Sequence, residues 1–275
     1  MTFFNYELSR AVKEQIQTPL AVPLPAELHA LFEKIREEYS KKDNDKDGLF
    51  YRVAARTSKN NAYNLRNLMT SGVQHSLQGA YLDLHTFNSY CSWIEKTARK
   101  ISSTIQIDHP MGIAVPETRL IFVYENFMVR LRMVLDRINQ FLTYYFLIDA
   151  RNVYKFYMTA AKRDSHLTNE DRERLERVRV CINGNRRILD EHISTDKGTT
   201  QTERDTVVHN REITITVPSL FFYPSGECHV IFPDLRKPSS TNFFELPSAG
   251  PILEQRFDDM GAFTVALVNG FFGFS

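Results

Sequence analysis

Residues 120–148 read LIFVYENFMVRLRMVLDRINQFLTYYFLI, and the reading of this stretch decides the fold. It is long and apolar enough to raise the question of a membrane span. Glu125, Arg130, Arg132, Asp136 and Arg137 interrupt it, too many charges for the interior of a bilayer. Its apolar residues instead keep a helical beat: Leu120, Tyr124, Phe127, Leu131, Val134, Ile138, Phe141 and Tyr145 follow one another in steps of three and four. That pattern predicts a long core helix with one buried stripe, opened by Pro116 and Glu117 in the positions favoured at a first turn.

Upstream, the same beat runs through Val73, Leu77, Ala80, Leu84, Phe87, Cys91, Ile94, Ala98 and Ile101, with Tyr90 and Trp93 widening the stripe. A linker, SSTIQIDHPMGIAVP, separates the two runs. Two helices of about 30 residues, so spaced and so joined, should pack antiparallel at a shallow angle as half of a four-helix bundle. A third helix starts at Thr168-Asn-Glu-Asp171, which has the form of a capping box, and continues through Leu175, Val178, Ile182 and Leu189. Gly184 inside it costs about 1 kcal/mol relative to alanine.

The flanks follow. Residues 25–41 place Leu28, Leu31, Phe32 and Ile35 on one helical face and then break in the polar run DNDKDG. That run resembles the front of a calcium loop but lacks the bidentate glutamate, because Ala54 stands at its position. After the polar loop Ser194–Thr202, Thr200 to Glu203 again has capping-box form and predicts a short helix from Arg204 to about Arg211. The period then changes to two at Ile213, Ile215 and Val217; Pro224-Ser-Gly226 supplies a turn, and Cys228–Phe232 a second apolar run, together a β-hairpin. Leu253, Phe257, Met260, Thr264 and Val268 trace a last helix ended by Gly270. The expected organisation is mainly α: an N-terminal helical extension over 1–60, an antiparallel four-helix bundle over 61–212, and a β-hairpin with a terminal helix packed on the bundle over 213–275.

With 275 residues, 43% of them hydrophobic, the chain can bury a sizeable core, and 34 basic against 33 acidic side chains exclude a bulk attraction to nucleic acid or membrane. Cys91, Cys181 and Cys228 are widely spaced and odd in number, which argues against a disulfide framework or zinc site and for a reducing, cytoplasmic compartment. No secretory leader is visible. Histidines 75, 85, 109, 166, 192 and 229 lack ligand spacing, so no metal and no cofactor is expected. The phosphate-loop, dinucleotide-binding, zinc-protease and hydrolase-elbow motifs are absent. Asp258, Asp259 and Glu227 read as surface carboxylates.

What remains is Arg204-Asp-Thr-Val-Val-His209, followed by Asn210. An imidazole can take the proton of a ribose 2′-hydroxyl while a guanidinium stabilises a pentacoordinate phosphate, with no metal required. This segment, an Arg followed by a polar residue and a His near the start of a late bundle helix, resembles the signature of the HEPN superfamily of helical-bundle ribonucleases. The Asp136-Arg137-Ile138 core and aromatic end of the long helix are also similar to a helix of certain members. The resemblance covers roughly residues 70–212. It implies a four-helix bundle that dimerises so that Arg204 and His209 of two subunits form one composite endoribonuclease site, with Asp205 positioning Arg204. It also implies a role in toxin–antitoxin or phage-defence systems, with a protein antitoxin as partner, while some members only bind or scaffold.

Competing readings stay open. Arg187-Ile-Leu-Asp-Glu-His192 has the same spacing, though Ile188 stands where the family prefers a polar residue. Arg204 and His209 also fit an ordinary ion-pair and helix-end role. Arginines 172, 174, 177, 179, 186 and 187, with Arg211 beyond, could track RNA phosphates or form a solvated face interleaved with Glu170, Asp171, Glu173 and Glu176. Tyr144, Tyr145, Phe146, Tyr154, Phe156 and Tyr157 could stack bases or fill the core. A non-catalytic helical interaction protein, and a small-molecule enzyme with a pocket beside the C-terminal segment, are the alternatives to a ribonuclease.

Overall fold

The computed structural model describes residues 22–40, 53–55, 58–102, 107–114, 118–160, 167–192, 218–231 and 248–274. Among them are eight α-helices: α1 Ala26–Ser40, α2 Lys59–Asn67, α3 Gln74–Ser102, α4 Thr118–Phe146, α5 Val153–Ala160, α6 Asn169–Gly184, α7 Arg186–His192 and α8 Ala249–Phe272. A π-helical turn, Leu68–Val73, joins α2 to α3 without leaving helical backbone angles. Three short strands, β1 Met111–Ala114, β2 Ser219–Phe222 and β3 Cys228–Ile231, form an antiparallel sheet in the order β1-β2-β3. The protein is therefore mainly helical.

The described residues fall into two compact units, those of 80–128, 218–231 and 248–257 in one and those of 23–79, 129–192 and 258–274 in the other. In the first, the apolar stripe of α3 delivers Leu84, Phe87, Cys91 and Ile94 to the interior, and the sheet adds Leu220, Cys228 and Val230. β3 is an edge strand, and an edge leaves backbone N–H groups without ladder partners. Glu95 of α3 meets that need: its Oε1 accepts from Val230 N–H at 2.9 Å, and its carbonyl accepts from the Cys228 thiol at 3.3 Å. Asn88 donates to Glu254 at 2.7 Å, tying α3 to the start of α8.

The second unit holds a core of large aromatic side chains. Phe271 of α8 lies edge-on to Phe141 at 4.8 Å, Tyr145 at 4.7 Å and Phe146 at 6.0 Å between ring centres. Such edge-to-face pairs add to the plain burial of the rings. The Tyr145 hydroxyl donates to Asp171 at 2.7 Å within this core. Thr168 caps α6 by accepting from Asp171 N–H at 3.2 Å and donates back to the Asp171 carboxylate at 2.9 Å, so the expected cap is present.

Every apolar position named for α1, α4, α6 and α8 is buried, as are those of the run from Val73 through α3 to Ala98, with Tyr90; Trp93 is only half-buried. Five details differ from the sequence reading. The third helix does not run on to Leu189: it stops at Gly184, where Asn185 leaves helical angles and donates to the Cys181 carbonyl at 2.8 Å, and α7 starts afresh. Gly270 does not end α8; Gly273, at φ +73, does. Gly270 lies inside the helix, where its carbonyl accepts from Arg177 Nε at 2.7 Å. The linker between the long helices contributes strand β1, because Met111 to Ala114 pair with Ser219 to Phe222. On α6, Asp171 and Arg174 are not on a solvated face, being only 4% and 8% exposed. The described hairpin has Ser219–Phe222 as its first strand, and Ile213, Ile215 and Val217 lie outside the described residues, as does the DNDKDG run.

Candidate functional site

Arg204, Asp205, His209 and Arg211 lie outside the described residues, and so does the side chain of His192. Arg186 and Arg187 are described and exposed. Arg186 sits over the ring of Tyr154 at 5.5 Å, and Arg187 pairs with Asp259 at 3.1 Å. Of the aromatic residues considered as stacking platforms, Tyr145, Phe146 and Phe156 are buried, while Tyr144 is 57% exposed. No group of three or more His, Cys, Asp or Glu side chains among the described residues is placed to hold a metal ion. No described helix is long and apolar enough to cross a membrane.

The described residues do form a cleft of about 520 Å³ within the second unit, a volume in the range of small-molecule sites. Three stretches build it. The end of α2 and the π turn contribute Asn64, Asn67, Leu68, Ser71 and Gly72; the first turn of α3 contributes His75 and Ser76; α4 contributes Arg130, Met133, Arg137, Gln140 and Tyr144. Its charged side chains are basic, and no Asp or Glu is among the lining residues. Single π turns within α-helices recur at functional sites because the extra residue widens the helix and re-aims its side chains.

The arginines are seated by glycines. A β-carbon on Gly72 would stand 3.0 Å from Arg137 Cδ and 3.1 Å from its Nη1. One on Gly79 would stand 2.7 Å from Arg130 Cζ and 2.9 Å from its Cδ. Each guanidinium thus lies in a notch where the opposite helix has no side chain. The two glycines are seven residues apart on one chain segment and the two arginines seven apart on the other, in reversed order. That register makes α3 and α4 antiparallel here, as the matched periodicities led one to expect. Arg137 Nε is buried without a hydrogen-bond partner.

A buried N–H without an acceptor is uncommon and calls for an explanation. Guanidinium forks, side-chain amides and hydroxyls are groups that can bind an anion. They hold no nucleophile paired with an oriented base, so by themselves they are a binding arrangement. Along the chain Arg130 and Arg137 read as charges that disqualify a membrane span, and Arg137 also as part of the Asp136-Arg137-Ile138 core of the family resemblance. The available signal was the matched seven-residue spacing of Gly72 and Gly79 with Arg130 and Arg137, which only becomes visible once the antiparallel register is known.

None of the three cysteines is among the residues that line this cleft. Burial raises the thiol pKa of Cys91 and of Cys228, and it pushes Cys181 up to about 11 against the opposing hydrogen bond from Asn185. All three are thereby poor nucleophiles at neutral pH. No protein-family model, no curated protein and no solved structure matches the chain.

Proposed function

We propose that this protein is a metal-independent endoribonuclease of the HEPN type, acting as a homodimer. The observation that carries the reading is the segment Arg204-Asp-Thr-Val-Val-His209-Asn210, which follows two antiparallel helices of 29 residues each in a mainly helical chain. The cleft supports it from a different direction, since a chain with a net charge of only +1 nonetheless gathers Arg130 and Arg137 in one cleft with no Asp or Glu among its lining residues.

In the proposed reaction, a ribose 2′-oxygen attacks the adjacent phosphorus while His209 takes its proton. Arg204 neutralises the charge that builds on the phosphoryl oxygens, and Asp205 holds Arg204 in place. The bond from phosphorus to the 5′-oxygen breaks, and that oxygen leaves as a hydroxyl after accepting a proton. The products are a 2′,3′-cyclic phosphate and a 5′-hydroxyl. The pair would come from two subunits, and the physiological setting would be toxin–antitoxin or phage defence, with a protein antitoxin to restrain the activity.

The test is cleavage of a mixed cellular RNA pool by the purified chain in excess EDTA. Wild type should cut and leave cyclic-phosphate ends, while Arg204→Ala and His209→Ala should each lose at least about 100-fold in rate, the scale of a general acid–base contribution. Absence of cleavage at high protein concentration would sink the enzyme reading and leave a non-catalytic helical interaction protein.

A further inference from the structure

We propose that the cleft between the π turn and α4 binds a small polyhydroxy carboxylate of the sugar-acid class, with the Arg137 guanidinium holding the carboxylate.

Arg137 gives the ligand its charge. Its Nε is buried without a hydrogen-bond partner, and no acid among the described residues pairs with its guanidinium. The side chain rests against Gly72, where a β-carbon would stand 3.0 Å from its Cδ. Packing in that notch, and not a polar bond, holds it in place, so the fork can turn to meet an acceptor that enters the cleft. Arg130, two turns earlier on α4, has an interaction of its own; it shapes the wall and is not counted as a binding charge. One uncommitted guanidinium matches one carboxylate, whose two oxygens accept from parallel N–H groups of the fork. A phosphate monoester would bring a second negative charge with no further guanidinium to meet it.

The remaining lining gives the body of the ligand. Among the described residues no Asp or Glu lines the cleft, so a ligand that also carries an ammonium group, such as an amino acid, finds no counter-charge there. The polar groups present donate and accept at once: the amides of Asn64, Asn67 and Gln140 and the hydroxyl of Ser71, all exposed. A hydroxyl is the ligand group that answers both roles. Ser76 is committed within the protein, where it donates to the Gly72 carbonyl at 2.9 Å and ties down the turn that carries the notch. The volume of about 520 Å³ far exceeds a bare inorganic anion and suits a small organic molecule. Neither Arg204 nor His209 takes part in binding of this kind, so the inference stands apart from the nuclease reading.

Calorimetric titration of the full chain with D-glucuronate, D-glucose and D-glucose 6-phosphate tests this without requiring any cleavage. Glucuronate should bind about 10- to 100-fold more tightly than glucose, which has the same ring without the carboxylate; that ratio is the scale of one charge-assisted contact. Arg137→Gln should remove the advantage, and Lys96→Gln, which lowers the net charge equally at an exposed site in the other unit, should not. Glucose 6-phosphate should bind no more tightly than glucuronate, and a tighter phosphate would overturn the assignment of a single carboxylate. Equal affinities for glucuronate and glucose, or no binding of glucuronate, would overturn the proposal, and those comparisons use only wild-type protein. An unchanged glucuronate affinity in a folded Arg137→Gln variant would overturn it as well.

Discussion

Replacing Gly79 with alanine separates the folding of this protein from the working of its cleft. Gly79 lies inside α3, where glycine is about 1 kcal/mol less favourable than alanine, so on helix propensity alone the change stabilises. The added methyl, however, would stand 2.7 Å from Arg130 Cζ and 2.9 Å from Cδ, closer than carbon atoms tolerate. The atoms in the way are the far part of a flexible side chain, which can swing out at the loss of about one hydrogen bond, roughly 1 kcal/mol. The two effects offset. The unfolding midpoint should therefore stay within about 4 °C of wild type, given roughly 2–4 °C per kcal/mol for a chain of this size. The guanidinium, by contrast, loses its seat, and the side-chain NMR resonances of Arg130 should shift. Gly72→Ala should displace Arg137 in the same way but more weakly, because its methyl would meet Arg137 at 3.0 Å and the neighbour need yield less. Differential scanning fluorimetry measures the midpoint, and NMR of the arginine side chains reports the displacement. A midpoint lowered by more than about 8 °C would show that Gly79 serves backbone packing, and unshifted Arg130 resonances would show that the notch does not seat this side chain.

Three further outcomes are expected from the same physical reasoning. Leu147 closes α4 at φ +54, a left-handed conformation that costs a side-chain-bearing residue roughly 1–2 kcal/mol; Leu147→Gly should accordingly raise stability by about 1 kcal/mol in urea titrations, and a loss would contradict the strain assigned to it. Burial pushes Cys181 up to about 11, so iodoacetamide at pH 8 should modify it roughly two orders of magnitude more slowly than a free thiol, with the rate rising about tenfold per pH unit; site-resolved mass spectrometry would expose the opposite behaviour. Burial also raises the carboxyl of Glu125, so the folded state holds that proton more tightly than the unfolded chain does. Stability falls as pH rises from the ordinary carboxylate value, about 4.3, into the raised one; Glu125→Gln should match wild type at low pH and be the more stable near neutrality, and a gap that widens toward acid would refute the assignment.

How far the sequence reaches differs from element to element. The stripes through Phe127, Val134 and Phe141, and through Leu77, Leu84 and Cys91, are set by local periodicity, and a helix that buries one face needs little more information than that. The cap at Thr168 and the turn around Gly226, at φ +83, are equally local. The stop of α6 at Asn185 turned on a competition between a mid-helix glycine and continued propagation, which spacing does not resolve. Gly270 and Gly273 both offered an end to α8, and the left-handed backbone that closes the helix falls at Gly273, at φ +73.

For function the division is sharper. The sequence by itself determined a helical protein with two long antiparallel partners and presented the Arg204–His209 segment, because covalent spacing is all that such motifs record. Only the tertiary structure decided that Arg130 and Arg137, read along the chain as interruptions of an apolar run, lie in glycine notches and share one cleft. The reason is physical: a guanidinium's role depends on which charges and which empty space surround it, and residues 64–79 become its neighbours only when the chain has folded back on itself.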